Sequence, residues 1–221
     1  MDFAQIAQTV SVYALPVLLA ITLHEAAHGY AAKRFGDTTA ERAGRISLNP
    51  FSHIDPIGTI LVPIGLYLMT AGAFLFGYAK PVPVNFGALR NPKRDMIWVA
   101  LAGPLANLLQ VALWALFALA LSGLGVEEMF FYKMAGAGVL VNIGMFAFNL
   151  FPLPPLDGGR VLVGLLPMRL AAALARTERV GMFIVIALIF AGVISSIWLQ
   201  PIFEAFLSLP VLPALVHFAL Q

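Results

Sequence analysis

The sequence His24-Glu25-Ala26-Ala27-His28 decides how the rest of the chain is interpreted. Two histidines four residues apart lie on the same face of a helix, so both imidazoles can bind one metal ion. Zinc favours imidazole and carboxylate ligands, and a catalytic zinc has three protein ligands with the fourth position left for water. Glu25 is expected to accept a proton from that water rather than to bind the metal. The pattern therefore predicts a zinc hydrolase site.

The residues around this motif are those of a membrane helix. Between Tyr13 and Ala32 the motif contributes all the acidic and basic side chains, and the rest of the stretch is nearly all apolar. An ionisable group in lipid carries a cost that needs a function. Two histidines and a glutamate at this spacing favour a metal site over histidines that merely hydrogen-bond to neighbouring side chains. The zinc is predicted to lie within the membrane.

The composition supports a membrane protein that crosses the bilayer several times. Of the 221 residues, 61% are hydrophobic and 11% are charged, which is far from the usage of soluble globular proteins. The net charge of +2 reflects 13 basic and 11 acidic residues. The basic residues are spread among apolar stretches, a pattern that favours membrane orientation over nucleic-acid binding. The chain has no cysteine, so His, Asp and Glu are the candidate zinc ligands.

The apolar stretches predict an all-α polytopic membrane protein with about five to six transmembrane segments, since about 20 helical residues cross a bilayer. A single integral membrane domain is expected over residues 1–221, with a core of about 10–180 and further hydrophobic segments at 180–220. The apolar stretches are Phe3–Ala32, Ile57–Tyr78, Asp95–Leu121, Met134–Leu150, Val180–Leu199 and, more weakly, Ile202–Leu220.

The distribution of basic residues predicts the topology. The clusters at 33–45, 80–94 and 160–179 hold 12 of the 13 Lys and Arg residues, and Lys133 is the exception. The positive-inside rule places these clusters in the cytoplasm. The segment 57–78 must then begin and end on the same side, as a re-entrant or strand-like loop after the first metal-binding helix. The alternative is a single crossing, which would place residues 80–94 outside and invert the helix before Asp157.

The preferred topology also predicts the third zinc ligand. His24 and His28 fall late in the first span, and Asp157 follows a span that runs in the same direction, so all three reach a similar membrane depth. Asp157 is therefore the predicted third ligand. Four other side chains remain as candidates in the loop that follows the first span, although each is more simply explained by turn capping and hydration. They are Asp37, Glu41, His53 and Asp55.

The segment Pro81-Val82-Pro83-Val84-Asn85 is predicted to be extended, because its prolines disfavour a helix. It is short and partly without backbone donors, so it can serve as an edge strand to which an unwound substrate adds by main-chain hydrogen bonds. A plain connector is the alternative.

Three motifs resemble those of the site-2 protease family of intramembrane zinc metalloproteases. The first is His24 to His28, the second runs from Asn149-Leu150-Phe151-Pro152 through Leu156-Asp157-Gly158, and the third is Ala102 to Asn107. The resemblance implies that His24, His28 and Asp157 bind zinc and that Glu25 is the catalytic base. It also implies that Asn149 is a polar group near the scissile carbonyl, and that Gly58 to Val84 is a membrane-entering strand-loop that presents substrate in extended form.

The resemblance implies a zinc metalloendopeptidase with one Zn²⁺ per chain, which hydrolyses peptide bonds within or near transmembrane segments. Its partners would be transmembrane protein or peptide substrates and the lipid bilayer, without nucleic acid. It would lie in the cell membrane with the active site toward the cytoplasmic side, in a minimal form without a PDZ or nucleotide-sensing CBS domain. The alternative functions are a zinc carrier and a catalytically silent membrane zinc-binding protein.

Overall fold

The computed structural model describes residues 3–61, 65 and 79–220, and this part of the chain is helical without any β-strand. The all-α prediction is thereby confirmed for these residues. The α-helices are α1 (Phe3–Arg34), α2 (Thr39–Arg42), α3 (Pro92–Gly123), α4 (Met129–Asn149), α5 (Asp157–Leu165), α6 (Met168–Arg176), α7 (Glu178–Phe190), α8 (Gln200–Leu207) and α9 (Leu212–Leu220). Two 3₁₀-helices lie at Pro50–Ser52 and Phe86–Ala88, and two π-helical segments lie at Pro56–Leu61 and Ile194–Leu199.

Helices α1, α3 and α4 are long and apolar enough to cross a membrane, and the bent pair of α7 with residues 194–207 can form a fourth span. The described residues thus contain three or four candidate spans, where the sequence predicted about five to six. Most of the predicted segment Ile57–Tyr78 lies outside the described residues, at 62–64 and 66–78. Its passage into the membrane stays a prediction.

One side of α3 shows how these helices meet lipid. Its exposed side chains repeat at helical spacing on a single face, as Leu105, Leu109, Leu113 and Leu116. The opposite side of the helix is buried against its neighbours and carries Gly103 and Asn107. A leucine face turned outward and a polar, small-residue face turned inward is the arrangement of a helix in a membrane bundle.

The three long helices alternate in direction. His28 of α1 contacts Val99 of α3, and His24 contacts Asn107 further along α3, so these two helices are antiparallel. Asn107 in turn contacts Asn142, and Trp114 packs against Gly138, so α3 and α4 are also antiparallel. Helices α1 and α4 therefore run in the same direction, as the sequence predicted. The loop after α4 brings Asp157 to the end of the bundle where α1 finishes.

The described parts of the chain between α1 and α3 lie together at this end of the bundle. The N–H of Arg90 donates to the carbonyl of Phe35 at 3.0 Å, and the N–H of Lys80 donates to the carbonyl of His53 at 2.9 Å. A single crossing between residues 53 and 80 would separate the latter pair by the membrane thickness of about 30 Å. The predicted shared side for the two ends of this segment agrees with these contacts.

The predicted span Val180–Leu199 is bent rather than continuous in the structure. Helix α7 ends at Phe190, and the helical segment that resumes at Ile194 is turned by 83°. Gly192 lies between them with a φ of +73°, a left-handed conformation that ends helices and that glycine adopts without strain. An uninterrupted run of apolar residues had concealed this break.

Candidate metal centre

Three predicted ligand atoms meet at one point between α1 and the start of α5. The Nε2 atoms of His24 and His28 are 3.1 Å apart. Oδ2 of Asp157 lies 3.3 Å from the first and 3.4 Å from the second. Both imidazoles are buried, and the carboxylate is nearly so. The structure therefore brings together two residues one helical turn apart and a third that is more than 120 positions away in the sequence.

The other nitrogen of each imidazole fixes the orientation of its ring. Nδ1 of His28 is 2.7 Å from the carbonyl oxygen of Val99, which can only accept a hydrogen bond. Nδ1 of His24 is 2.7 Å from Oδ1 of Asn107. A proton on each Nδ1 satisfies these contacts and leaves both Nε2 lone pairs directed at the shared point. Such outer hydrogen bonds are the usual means of orienting histidine ligands.

The amide of Asn107 is itself held in place by a buried polar network. Its Nδ2 donates to Oδ1 of Asn142 at 2.8 Å and to the carbonyl of Ala20 at 3.3 Å. Nδ2 of Asn142 donates to the carbonyl of Gly138 at 2.9 Å. The carbonyls of Ala20 and Gly138 can only accept hydrogen bonds, so the amide atom of each asparagine that faces them must be the donor Nδ2. One network therefore joins α1, α3 and α4 and presents an acceptor to His24.

Glycines make room for this arrangement. A Cβ on Gly103 would overlap Nε2 of His28 and would lie 2.6 Å from Cε1 of His24, so the backbone of α3 passes directly beside both rings. A Cβ on Gly158 would overlap the backbone of Leu150, and one on Gly159 would overlap the backbone of Leu153. The two glycines allow the first turn of α5 to pack tightly against the preceding loop. This packing positions Asp157.

The donor set fits zinc. A tetrahedral zinc with ligand bonds of about 2.0–2.1 Å separates its ligand atoms by about 3.3 Å, close to the three distances observed here. Oδ2 of Asp157 is buried and has no hydrogen-bond partner among the described residues. Two imidazole lone pairs and a carboxylate oxygen repel each other unless a cation lies between them. Imidazole and carboxylate ligands with one further position available are typical of catalytic zinc.

Glu25 lies beside this centre without joining the three ligand atoms. Its Oε2 accepts a hydrogen bond of 2.7 Å from the N–H of Val82. A cavity of about 480 Å³ adjoins Glu25 and the three ligand atoms. Its wall includes His24, Glu25, His28, Asp157 and residues of the segment 79–86. A carboxylate beside the metal ligands and at the edge of a cavity is placed to exchange protons with a molecule bound there.

Asn149 lines the same cavity at the end of α4. Its Nδ2 donates to the carbonyl of Met145 at 2.9 Å, within its own helix. A carboxamide has two N–H groups, so the second remains for another acceptor. The predicted role of Asn149 near a scissile carbonyl stays a prediction.

The four loop candidates occupy local structural positions away from the three ligand atoms. Glu41 pairs with Lys33 at 2.6 Å, and Asp55 accepts backbone hydrogen bonds at the start of the π-helical segment. His53 contacts the carbonyl of Ser47, and Asp37 accepts from Thr39 and from the N–H of Asn85. Turn capping, the simpler explanation considered for these side chains, agrees with most of these contacts.

Sequence reasoning missed two parts of the centre. The carbonyl of Val99 has no signature, because every residue carries a carbonyl. Asn142 lies in an apolar stretch, where a polar residue is equally explained by an interhelical hydrogen bond. Its spacing to Asn149, seven residues or about two turns, was the available signal that both asparagines lie on one side of α4.

Comparisons with known proteins agree with this centre. The sequence profile described as "Peptidase family M50" matches residues 126–192. "Putative zinc metalloprotease YwhC" of Bacillus subtilis is 35% identical over 196 residues, which cover 86% of this chain and 85% of that protein. "Putative zinc metalloprotease Rip2" of Mycolicibacterium smegmatis is 30% identical over 78% of this chain and 64% of its own length. The Rip2 of Mycobacterium tuberculosis strain H37Rv is also 30% identical, over 81% and 66% respectively.

No solved structure matches the chain. The relationship to YwhC extends over most of both proteins, and the profile match includes Asn149 and Asp157. The apolar helices and these matches together identify a membrane-embedded zinc metalloprotease. The chain therefore belongs to peptidase family M50, the site-2 protease family.

Proposed function

We propose that this zinc metalloprotease is an intramembrane endopeptidase that cuts peptide bonds within or near the transmembrane segments of other membrane proteins. One observation carries the proposal: three lone-pair atoms converge beside a carboxylate and a cavity, and two of them belong to a helix long enough to cross a membrane. A substrate that reaches this cavity is itself expected to lie in the membrane.

The proposed zinc ligands are His24, His28 and Asp157, with one ion per chain. When bound there, zinc supplies a Lewis acid that activates water and polarises the scissile carbonyl. The carbonyl of Val99 and the amide of Asn107 hold the two imidazoles in the orientation that this binding needs.

Glu25 is the proposed proton carrier. Its carboxylate accepts the proton of the attacking water and returns it to the leaving amine. The hydrogen bond from Val82 N–H occupies Oε2 and leaves Oε1 as the second acceptor oxygen. The remaining N–H of Asn149 is proposed to stabilise the developing oxyanion, a role in which one donor is worth about 10²–10³ in rate.

The proposed orientation places the end of the bundle with the metal centre toward the cytoplasm, in the cell membrane. Twelve of the 13 basic residues fall in the segments that the sequence assigns to that side. Lys133 lies instead with Gln5 and Thr9, near the start of α1. A substrate helix hides its own carbonyls, so it must unwind locally before it can be cut.

The test compares zinc content and cleavage in the wild type, Glu25→Gln and Asp157→Ala, purified and reconstituted with single-span membrane substrates. Glu25→Gln should retain zinc and lose cleavage by about 10²–10⁴-fold. Asp157→Ala should lose most of its zinc, because two protein ligands hold the ion weakly. Glu41→Gln, an exposed carboxylate paired with Lys33, is the matched control and should resemble the wild type.

Wild-type cleavage by Glu25→Gln would overturn the assigned mechanism. A chain that carries zinc across the bilayer and produces no new termini in any substrate would instead support the zinc-carrier alternative. Full zinc occupancy in Asp157→Ala would show that Asp157 is not the third ligand and would favour a loop residue such as His53.

A further inference from the structure

Asp37 is a buried carboxylate that the proposed reaction does not use. It lies in the turn after α1 with a side chain 1% exposed. Oδ1 accepts from the N–H of Thr39 at 2.9 Å and from its hydroxyl, and Oδ2 accepts from the N–H of Asn85 at 2.7 Å. Burial raises the pKa of Asp37, but these donated hydrogen bonds outweigh burial and lower the pKa below its usual value. Asp37 is therefore a charged acceptor that holds the N–H of Asn85.

Two carboxylates, Glu25 and Asp37, thus hold the same non-helical segment. Glu25 accepts from Val82 N–H, and Asp37 accepts from Asn85 N–H, three residues further along. Before them, Nη2 of Arg45 donates to the carbonyl of Lys80 at 2.9 Å. The segment 80–85 is consequently fastened to α1 and the following loop at its beginning, its middle and its end.

The prolines exclude a shift of this segment by one residue relative to Glu25. A shift by one residue in either direction would place Pro81 or Pro83 beside the carboxylate, and neither has an N–H to donate. The side chain of Val82 adds a packing constraint, since it is buried and its Cγ1 lies 3.3 Å from the position of a Cβ on Gly29. The observed register is held by the packing of Val82 against α1 and by the hydrogen bonds of Val82 to Glu25 and of Asn85 to Asp37.

This register leaves one backbone donor of the segment without a partner among residues 3–61, 65 and 79–220. Of the three N–H groups between residues 81 and 85, those of Val82 and Asn85 bind carboxylates. The N–H of Val84 makes no hydrogen bond within the described part of the chain. Val84 lines the cavity beside the metal centre. An extended substrate in this cavity can pair with the remaining donor, as in addition to an edge strand.

We propose that Asp37 is a positioning residue for proteolysis, which holds the Asn85 end of segment 80–85 so that the N–H of Val84 stays directed at the substrate. The inference rests on the proposed function for its substrate and on the structure for its geometry. Asp37 acts through Asn85 and does not touch the reacting atoms. The ligand class is an extended peptide main chain rather than any particular side chain.

The experiment compares the wild type, Asp37→Ala, Asp37→Asn and the control Glu41→Ala, each zinc-loaded and reconstituted with a single-span substrate. In Asp37→Ala, KM should rise about ten-fold, because a hydrogen bond to a charged group is lost from the docking segment. The kcat and the zinc content should stay within about two-fold, since Glu25 and Val82 remain in contact. A variant that merely unfolded in part would instead lose kcat and zinc together. Asp37→Asn keeps one acceptor oxygen, so its KM should rise less than that of Asp37→Ala.

Amide hydrogen exchange of a peptide spanning residues 82–85 gives a second readout that needs no cleavage. Exchange should be at least about ten-fold faster in Asp37→Ala than in Glu41→Ala, with Asp37→Asn between them. Unchanged exchange, or unchanged KM in an active and zinc-loaded Asp37→Ala, would overturn the proposal. If the wild type cleaves no substrate, the proposed function fails, while the exchange comparison still decides whether Asp37 holds the segment.

Discussion

Gly103 lies where the backbone of α3 passes the imidazoles of His24 and His28, the proposed zinc ligands. A Cβ there would overlap Nε2 of His28 and would lie 2.7 Å from Nε2 of His24. Both rings are also held from behind by Val99 and Asn107, so they have little freedom to move away. The absence of one side chain at this position therefore controls whether the two nitrogens can converge.

Gly103→Ala should lower zinc affinity at least about ten-fold, the scale on which disturbed ligand orientation acts. The substitution should otherwise favour the helix by about 0.5–1 kcal/mol, so zinc loss would not come from a weakened α3. Competition with a calibrated chelator measures the affinity. Gly144→Ala in α4 is the control, because its Cβ would meet its nearest neighbour, Phe203, at 3.7 Å. Equal zinc affinity in the two variants would show that the rings can relax.

The residues that the structure brings together were predictable where a motif specifies them. His24, Glu25 and His28 are defined by their spacing, and Asp157 is defined by the direction of the preceding helix. Asp37 was considered as a possible ligand, and its contact with Asn85 was not foreseen, because it depends on a backbone donor nearly fifty residues away. A main-chain contact of this kind has no signature in the sequence.

The segment Pro81-Val82-Pro83-Val84-Asn85 is the element whose role most needs an experiment. It was predicted to be extended, and it contains no helix in the structure, with Asn85 in an extended conformation. It forms no β-strand with the described residues, since its neighbours are side chains rather than a second strand. An edge that lacks a partner strand suits the addition of a substrate, and a plain connector remains the alternative.

Val84→Pro separates these two roles. It removes the one N–H in question, so substrate that pairs there should bind more weakly, with KM raised about three- to ten-fold. Val84→Ala shortens the same side chain and keeps the N–H, so it serves as the control for lost packing. The measurement is the KM of both variants at equal zinc content. If the two variants give the same KM, the N–H contributes no binding and the segment is a connector.

At the scale of the whole molecule, the order and direction of the long helices follow from apolar length and charge. The break at Gly192 does not, because one glycine inside an apolar run has several meanings and its left-handed conformation is decided by tertiary packing. The packing of Gly103 against the imidazoles could not be predicted from the sequence either. Patterns therefore predicted which segments approach the zinc, while contacts between segments determined how closely they do so.

The orientation of the molecule in the membrane yields the last prediction. Gly87 is exposed in the loop that returns beside the end of α1, and Glu127 is exposed in the turn between α3 and α4, at the opposite end of the bundle. The basic clusters predict that the Gly87 end is cytoplasmic. The chain has no cysteine, so a single introduced thiol reports one position.

In intact cells, an impermeant thiol reagent should label Glu127→Cys and should leave Gly87→Cys unmodified. After permeabilisation both variants should react, which controls for burial of the thiol. A cysteine at position 87 is compatible with the fold, because its Cβ would meet only Oδ1 of Asn85, at 3.3 Å, among the described residues. The reverse labelling pattern would place the metal centre near the outer surface. Labelling of both positions in intact cells would show that the two ends do not lie on opposite sides, which contradicts the assignment of α3 as a full span.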